Sequence, residues 1–348
     1  MKDEFLIDRH KLNYHPEEVS CWLKKEPFYP IYVEISPTNR CNHRCIFCGF
    51  GYTEHKNQDL DTEYLSIAIQ SMAECGIKAI MFCGEGEPLL HPDIADLIKL
   101  AKELGIDVSL TTNGVLMNEE FLKNALPYLD WIKVSVDGGT PETYSKVHGC
   151  KKSDFNTLMK NLETAVEIRD KNNYSCTIGT QSILLDENTL EIYDLARTLK
   201  KTGVDYFVIK PYTPHPYNKD NLDINELQDV WNWFGDQRVL DLKDDKFDVI
   251  VRYTAFENQD LEREYHDCYA SDFWCYIGSD GAIYICNNYL GNSDYIYGNI
   301  YQKTFKEIWD TRPHIDIDLN NCRKICRMNE VNKYLWRMKN PPAHKNFI

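Results

Sequence analysis

IYVEISPTNRCNHRCIFCGF, residues 31–50, joins a short β-branched run to three cysteines, Cys41, Cys45 and Cys48. Ile31 to Ile35 reads as a first strand, so the C-x3-C-x2-C segment falls on the loop at its C-terminal end. Three thiolates at this spacing can hold a [4Fe-4S] cluster and leave its fourth iron open to an outside ligand. An open iron turns an electron carrier into a reagent.

The first 210 residues alternate short apolar runs with helical patterns. Strands are expected at IYVEIS (31–36), KAIMFC (78–83), DVSLTT (107–112), WIKVSV (131–136), CTIGTQSIL (176–184) and YFVIK (206–210). Helices are expected near 61–75, 94–104, 118–126, 155–172 and 188–202. This alternation is that of βα units with parallel strands. Six units predict an α/β fold, a partial (β/α)6 TIM-like barrel that stays open, with chemistry at the C-terminal ends of the strands. Beyond Tyr212 the texture changes. A helix is expected over 223–234 and a strand over VIVRYTAF (249–256). FWCYIGSDGAIYIC (273–286) reads as a hairpin turning at Ser279-Asp280-Gly281, with helices following near Thr304 and Asn329. The expected organisation is an N-terminal extension (1–29), the partial barrel (30–212), a connecting region (213–260), a small iron-sulfur module (261–330) and a C-terminal helix and tail (331–348).

The 348 residues carry 39 basic and 54 acidic side chains, a formal charge of -15. That balance speaks against a nucleic-acid partner. No run is long and apolar enough for a membrane span, and the first residues lack the apolar core of a signal peptide. The expected location is the cytoplasm. In that reducing setting the thirteen cysteines are read as metal ligands or free thiols rather than disulfides.

The cysteine triple, taken with three later segments in order, resembles the signature of the radical S-adenosylmethionine (SAM) enzymes. The segments are Gly84-Glu85-Gly86-Glu87-Pro88 after the second strand, Thr112-Asn113-Gly114 after the third, and Ser135-Val136-Asp137-Gly138 after the fourth. The resemblance covers roughly residues 30–210. It implies that Cys41, Cys45 and Cys48 ligate the cluster. Phe47, Gly84, Glu85, Gly86, Glu87, Asn113, Ser135 and Asp137 would contact SAM, with Glu87 pairing with its ammonium. Read from the residues alone, the glycines allow backbone to approach a small molecule closely, and Glu87 suits a cationic group.

A second group, Cys268, Cys286, Cys322 and Cys326, follows with the spacing Cys268-x12-Gly281-x4-Cys286 and a closing C-x3-C. This resembles the C-terminal module called SPASM, or its shorter relative, the twitch domain. The resemblance implies one auxiliary [4Fe-4S] cluster with four protein ligands. Cys275 is an alternative to Cys268 as first ligand, and four thiolates can also hold zinc. The remaining Cys21, Cys75, Cys83, Cys150, Cys176 and Cys275 suit small buried hydrophobes. Of these, Cys83, Cys176 and Cys275 are also candidates to return a hydrogen atom to a substrate radical.

Glu34, Gln181 and Lys210 lie on expected strands near the mouth, where they can shape a substrate site. Lys210 can read a carboxylate or phosphate, or act as a base, and Arg252 is a further anion-binding candidate. The resemblance implies SAM cleavage to a 5′-deoxyadenosyl radical that abstracts hydrogen from the substrate. The leading expectation is dehydrogenation of an alcohol carbon in a small polar substrate such as a sugar, aminosugar or nucleotide sugar. The auxiliary cluster would take the electron, and a flavodoxin- or ferredoxin-like donor would supply the first one. The alternatives are an epimerase with a cysteine hydrogen donor, or an enzyme modifying ribosomally made peptides. Only about thirty residues precede the first strand, less than the leader-binding domain that peptide modifiers often carry.

Overall fold

Alternation within WIKVS explains how one sheet serves two purposes. Ile132 and Val134 of this strand are buried, whereas Trp131, Lys133 and Ser135 are half-open. Side chains of a strand point to opposite faces in turn, so one face is apolar and the other polar. The computed structural model describes residues 5–219, 221–223, 227, 230, 233, 236–257 and 262–347.

Among these residues the strands are β1 (Tyr32–Ile35), β2 (Ala79–Phe82), β3 (Asp107–Thr112), β4 (Trp131–Ser135), β5 (Thr177–Leu184), β6 (Tyr206–Pro211), β7 (Asp248–Val251), β8 (Trp274–Ile277), β9 (Ala282–Tyr284) and β10 (Ile296–Asn299). They form one open sheet in the order β10-β9-β8-β1-β2-β3-β4-β5-β6-β7. β1 to β7 are parallel, as the six expected units require, with β7 added at one edge. At the other edge β8 pairs parallel with β1, and the antiparallel β9 and β10 follow. The iron-sulfur module therefore continues the barrel sheet.

Helices α1 (Pro16–Lys24), α2 (Thr62–Glu74), α3 (Ile94–Glu103), α4 (Glu119–Ala125), α5 (Pro141–His148), α6 (Lys152–Asn172) and α7 (Ile192–Thr202) precede β6. They form where apolar residues recur at helical spacing. Ile94, Leu97, Ile98 and Ala101 of α3 are buried, as are Ile192, Leu195, Ala196 and Leu199 of α7. Asp61 caps α2, accepting from the Glu63 and Tyr64 amides. These stripes pack on Val33, Ile80, Val108, Ile132, Ile178 and Phe207 of the sheet's convex face. No helix among the described residues is long and apolar enough to cross a membrane.

One expected element changes. The strand expected over 249–256 ends at Val251, and Tyr253–Glu257 is a short helix instead. Asp8 accepts hydrogen bonds from the Thr254 amide (3.0 Å) and hydroxyl (2.5 Å), a tie across 246 residues that holds the turn. Helices α1 and α5 and strand β10 were not expected. The helix expected over 223–234 lies largely outside the described residues.

Candidate active site

The first cysteine loop is closed at its base before it presents its thiols. Thr38 and Asp59 form an isolated bridge, the Asn39 amide donates to Gln58 O (2.7 Å), and Arg40 grips both Asp59 carboxylate oxygens (2.9 and 2.7 Å). The loop's far side is pinned to α5 by Arg44 N to His148 O and Ile46 N to Val147 O, each 3.0 Å. Cys41, Cys45 and Cys48 are half-buried free thiols. Burial pushes the Cys41 thiol up to about 11 and raises Cys45 and Cys48, and the neighbouring thiols add to the shifts of Cys41 and Cys45. A bound cation reverses that preference, because a metal deprotonates a coordinating thiol.

The 84–88 segment lies directly under this loop. A Cβ on Gly86 would fall on the Arg40 carbonyl oxygen, and the Glu87 amide donates to that same oxygen (2.7 Å). Glycine is therefore required for the contact. Glu85 accepts from Asn39 Nδ2 (3.0 Å) and from the Ser279 amide (3.0 Å) and hydroxyl (3.2 Å), tying β2 to the β8–β9 turn. Glu87 accepts from Thr112 Oγ1 (2.6 Å), Asn113 N (2.8 Å) and Leu89 N (3.2 Å), tying β2 to β3. Burial lifts the Glu87 carboxyl to about 7 against the pull of these donors. Both glutamates thus join neighbouring strand ends. Asn113 Nδ2 donates to Asn42 Oδ1 (2.7 Å), linking the β3 end to the cysteine loop.

Ser135 ends β4 half-open. Asp137 Oδ1 accepts from Ile183 N (2.5 Å), and its buried Oδ2 lies 3.1 Å from His148 Nε2 with no hydrogen-bond partner. His148 is also 3.4 Å from both Cys45 Sγ and His43 Nδ1, stacks on Tyr144, and meets the edge of Phe47 at 5.7 Å. His43, Cys45 and His148 are one group compact enough for a metal, and His43, Cys150 and Asp154 another; Cys41 and Cys48 belong to neither. Neither histidine carries a sequence signal beyond its place beside a cysteine.

Below the cysteine loop, the concave face of the sheet is mixed: Met81, Trp274 and Tyr276 form one apolar cluster on it and Tyr206, Val208 and Ile250 another, with polar side chains between them. Strand register and alternation put Glu34, Lys133, Ser135, Gln181 and Lys210 on it. Arg252, two residues beyond the inward Ile250, comes just after β7. Glu34 is 1 % exposed and pairs with Arg327, while Tyr32 donates to it (2.7 Å). Burial, then the nearby Arg252 and Arg327 charges, lowers Lys133 to about 8. Burial, then Lys133 and Arg252, lowers Lys210 to about 7. Cys83 joins this face beside Tyr276 and Trp274. The other two thiols proposed as hydrogen donors do not. Cys176 precedes β5 at the N-terminal end of the sheet, and Cys275 is fully buried on the convex side with Val33. The cavity of about 970 Å³ lined by Cys176, Arg169, Asp205 and Lys243 also opens at that far end, away from the cysteine loops.

The second cysteine set gathers on the module. Cys268 precedes β8, Cys286 follows β9, and Cys322 and Cys326 flank a turn before the last helix, Asn329–Lys339. Donors point at three of the sulfurs: Asn288 N to Cys286 (3.4 Å), Met328 N to Cys326 (3.4 Å) and Asn332 Nδ2 to Cys268 (3.7 Å). Such bonds favour thiolates, against burial that pushes Cys268 up to about 11 and Cys286 to about 12. Cys322 raises no such donor, but its own hydrogen bond holds Cys326 below the usual thiol range. Arg263 clamps the turn through the carbonyls of Leu319, Cys322 and Arg323. Arg323 bridges the two sets. Its guanidinium lies where a Gly49 Cβ would touch it (3.1 Å), and its charge reaches Cys48, Cys286, Cys322 and Cys326.

Comparison with known proteins agrees with this layout. The Radical SAM superfamily model matches residues 35–179, and the SPASM iron-sulfur cluster-binding domain model matches 268–329. A tungsten-containing aldehyde ferredoxin oxidoreductase cofactor-modifying protein of Pyrococcus furiosus is 26% identical over 303 residues, 80% of each chain. Streptococcus suis SuiB bound to precursor peptide SuiA superposes with a TM-score of 0.63 at 19% identity, covering 86% of this chain and 69% of that one. anSMEcpe with bound AdoMet and Kp18Cys peptide does so with a TM-score of 0.55 at 18% identity, covering 81% of each. Both of these structures hold peptides. They overturn the expectation of a small-molecule substrate partner, and the flavodoxin- or ferredoxin-like donor expected with it has no support among the comparisons. The chain carries a radical SAM domain followed by a C-terminal SPASM-type iron-sulfur domain, and is an enzyme of the radical SAM oxidoreductase class.

Proposed function

We propose that this enzyme, which generates a 5′-deoxyadenosyl radical, uses it to modify a peptide. The observation that carries the reading is the row of polar side chains on the concave face below the cysteine loop, with Arg323 beside Gly49 and its charge within reach of both cysteine sets. The peptide-bound structures of the same fold support the choice of substrate class.

Cys41, Cys45 and Cys48 are the residues to hold the first [4Fe-4S] cluster. The glycine cradle at Gly84 and Gly86, which a Cβ would fill, fits a loop that must approach a bound group closely. Cys268, Cys286, Cys322 and Cys326 are the residues to hold one auxiliary cluster, and the donors aimed at their sulfurs fit thiolate ligands. Bound together, the first cluster and SAM supply the radical. The chain itself does the rest. Glu85 and Glu87 lock the ends of β8, β2 and β3 against the cysteine loop, which fixes that loop's height above the chamber on that concave face. Phe47 and Ser135 border the cofactor side. Gln181 and Lys210 touch the substrate, while Glu34, held by Arg327 and Tyr32, shapes the wall. The fold closes the chamber's convex side with a continuous apolar layer, which keeps water from a reactive intermediate.

The test is mass spectrometry of a pooled library of short peptides, incubated with anaerobically reconstituted protein, reductant and SAM. Peptide-dependent 5′-deoxyadenosine, accompanied by a mass change in some library members, supports the reading. Cofactor cleavage that no peptide accelerates, with every peptide mass unchanged, overturns it.

A further inference from the structure

The chamber holds more positive charge than its own residues neutralise. Lys133 of β4, Lys210 of β6, Arg252 after β7, and Arg323 and Arg327 of the SPASM domain lie within electrostatic reach of one another around it. Three carboxylates answer them. Asp137 lies within electrostatic reach of Lys210, with one oxygen accepting from the Ile183 amide and the other 3.1 Å from His148 Nε2. Glu34 is taken by Arg327. Asp8 stands 3.5 Å from Arg252, with both its oxygens bonded to Thr254. Among the described residues, no carboxylate lies within ion-pairing distance of Lys133, Lys210 or Arg323. The Arg323 Nε and one terminal nitrogen are buried without a hydrogen-bond partner.

Unpaired buried charges are costly, and a fold keeps them where a ligand supplies the counter-charge. The cost is visible here: each lysine is held below its ordinary range, first by burial and then by its cationic neighbours. Both lysine side chains remain half-open, so they face the chamber and not the packed core. Lys133 sits one inward position deeper along β4 than Ser135. A group that reaches it must extend past the strand ends, as a side chain does and a backbone does not.

We propose that Lys133 and Lys210, closed over by Arg323, form a subsite for a carboxylate of the substrate peptide. The inference rests on the peptide reading above. The carboxylate has two sources, an aspartate or glutamate side chain or a free C-terminus.

Calorimetric titration of the full-length, cluster-reconstituted protein separates these. The probes are an N-acetylated glycine pentapeptide amide with a central glutamate, the same peptide with glutamine, an all-glycine pentapeptide with a free C-terminus, glutarate alone and inorganic phosphate. The glutamate peptide is expected to bind about tenfold or more tightly than the glutamine peptide. That preference is expected to vanish in Lys133→Met and Lys210→Met, whose melting temperatures should not fall because each removes a charge with no ion-pair partner. Tight binding of the free C-terminal peptide instead assigns the subsite to the chain end. Glutarate bound in a lysine-dependent way, with no peptide bound, keeps the subsite and removes the peptide reading. Equal binding of the glutamate and glutamine peptides removes the subsite and leaves the peptide reading standing. A preference retained in both methionine variants, or phosphate outcompeting every carboxylate, overturns the proposal.

Discussion

Lys133 and Lys210 occupy inward positions on β4 and β6 where parallel strands ordinarily carry valine or isoleucine. Their depressed pKa values make a statement about stability. In the unfolded chain each binds its proton up to about pH 10.4. In the folded protein Lys133 does so only to about 8 and Lys210 to about 7. Between those limits the unfolded state binds more protons, so stability rises with pH from about 7 towards 10 and is lost as pH falls through the folded values. Urea midpoints should therefore climb between pH 7 and pH 9, and the climb should shrink in Lys210→Met; identical slopes would contradict the chamber as described. Glu87 gives a second test at this scale. Glu87→Ala strands the Thr112 hydroxyl and Asn113 amide, and should cost about 3 kcal/mol in chemical denaturation. Lys210 was legible in the sequence because it closes a strand before Pro211. Lys133 was not singled out, although the period-two alternation of WIKVS contains it. Arg323 carries no local signal, since its meaning comes from Gly49, far away in the chain.

Elements were legible where local chemistry and burial agree. The βα alternation, the turn at Gly281 and the Thr304–Glu307 capping box are all local, and the strands and helices they mark are present. What local pattern lacks is the partner. VIVRYTAF has strand composition throughout, but Asp8 bonds Thr254 and the chain turns into a helix after Val251. β10 is marked only by its pairing with β9. The 84–88 segment stands at the same scale, since it joins β2 to the cysteine loop through one backbone contact. Gly86→Ala would push Arg40 and the loop apart. Iron and sulfide are expected to fall from about eight to about four per chain while the auxiliary site stays filled. Unchanged iron content and unchanged SAM cleavage would show that the contact does not set the loop.

Across the whole molecule, the β1–β8 pairing makes barrel and SPASM domain one sheet, which no motif in either part announces. Glu85 reinforces it by bonding Ser279 across 194 residues. The two parts should accordingly unfold in one transition, and Glu85→Ala should lower its midpoint by separating the β2 end from the β8–β9 turn. Two well-resolved transitions in the wild type would contradict a shared sheet. Both cysteine sets are proposed from their spacing, whereas the pairing of β1 with β8 that brings the two parts together appears only in the folded sheet. Radical generation is proposed to belong to Cys41, Cys45 and Cys48, and not to the distant quartet. The direct measurement is 5′-deoxyadenosine formed from SAM by anaerobically reconstituted wild type and Cys41→Ala. The expected result is product from the wild type and none from the variant, although the variant keeps about four irons at the second site. Product formed at equal rates by both would contradict the claim.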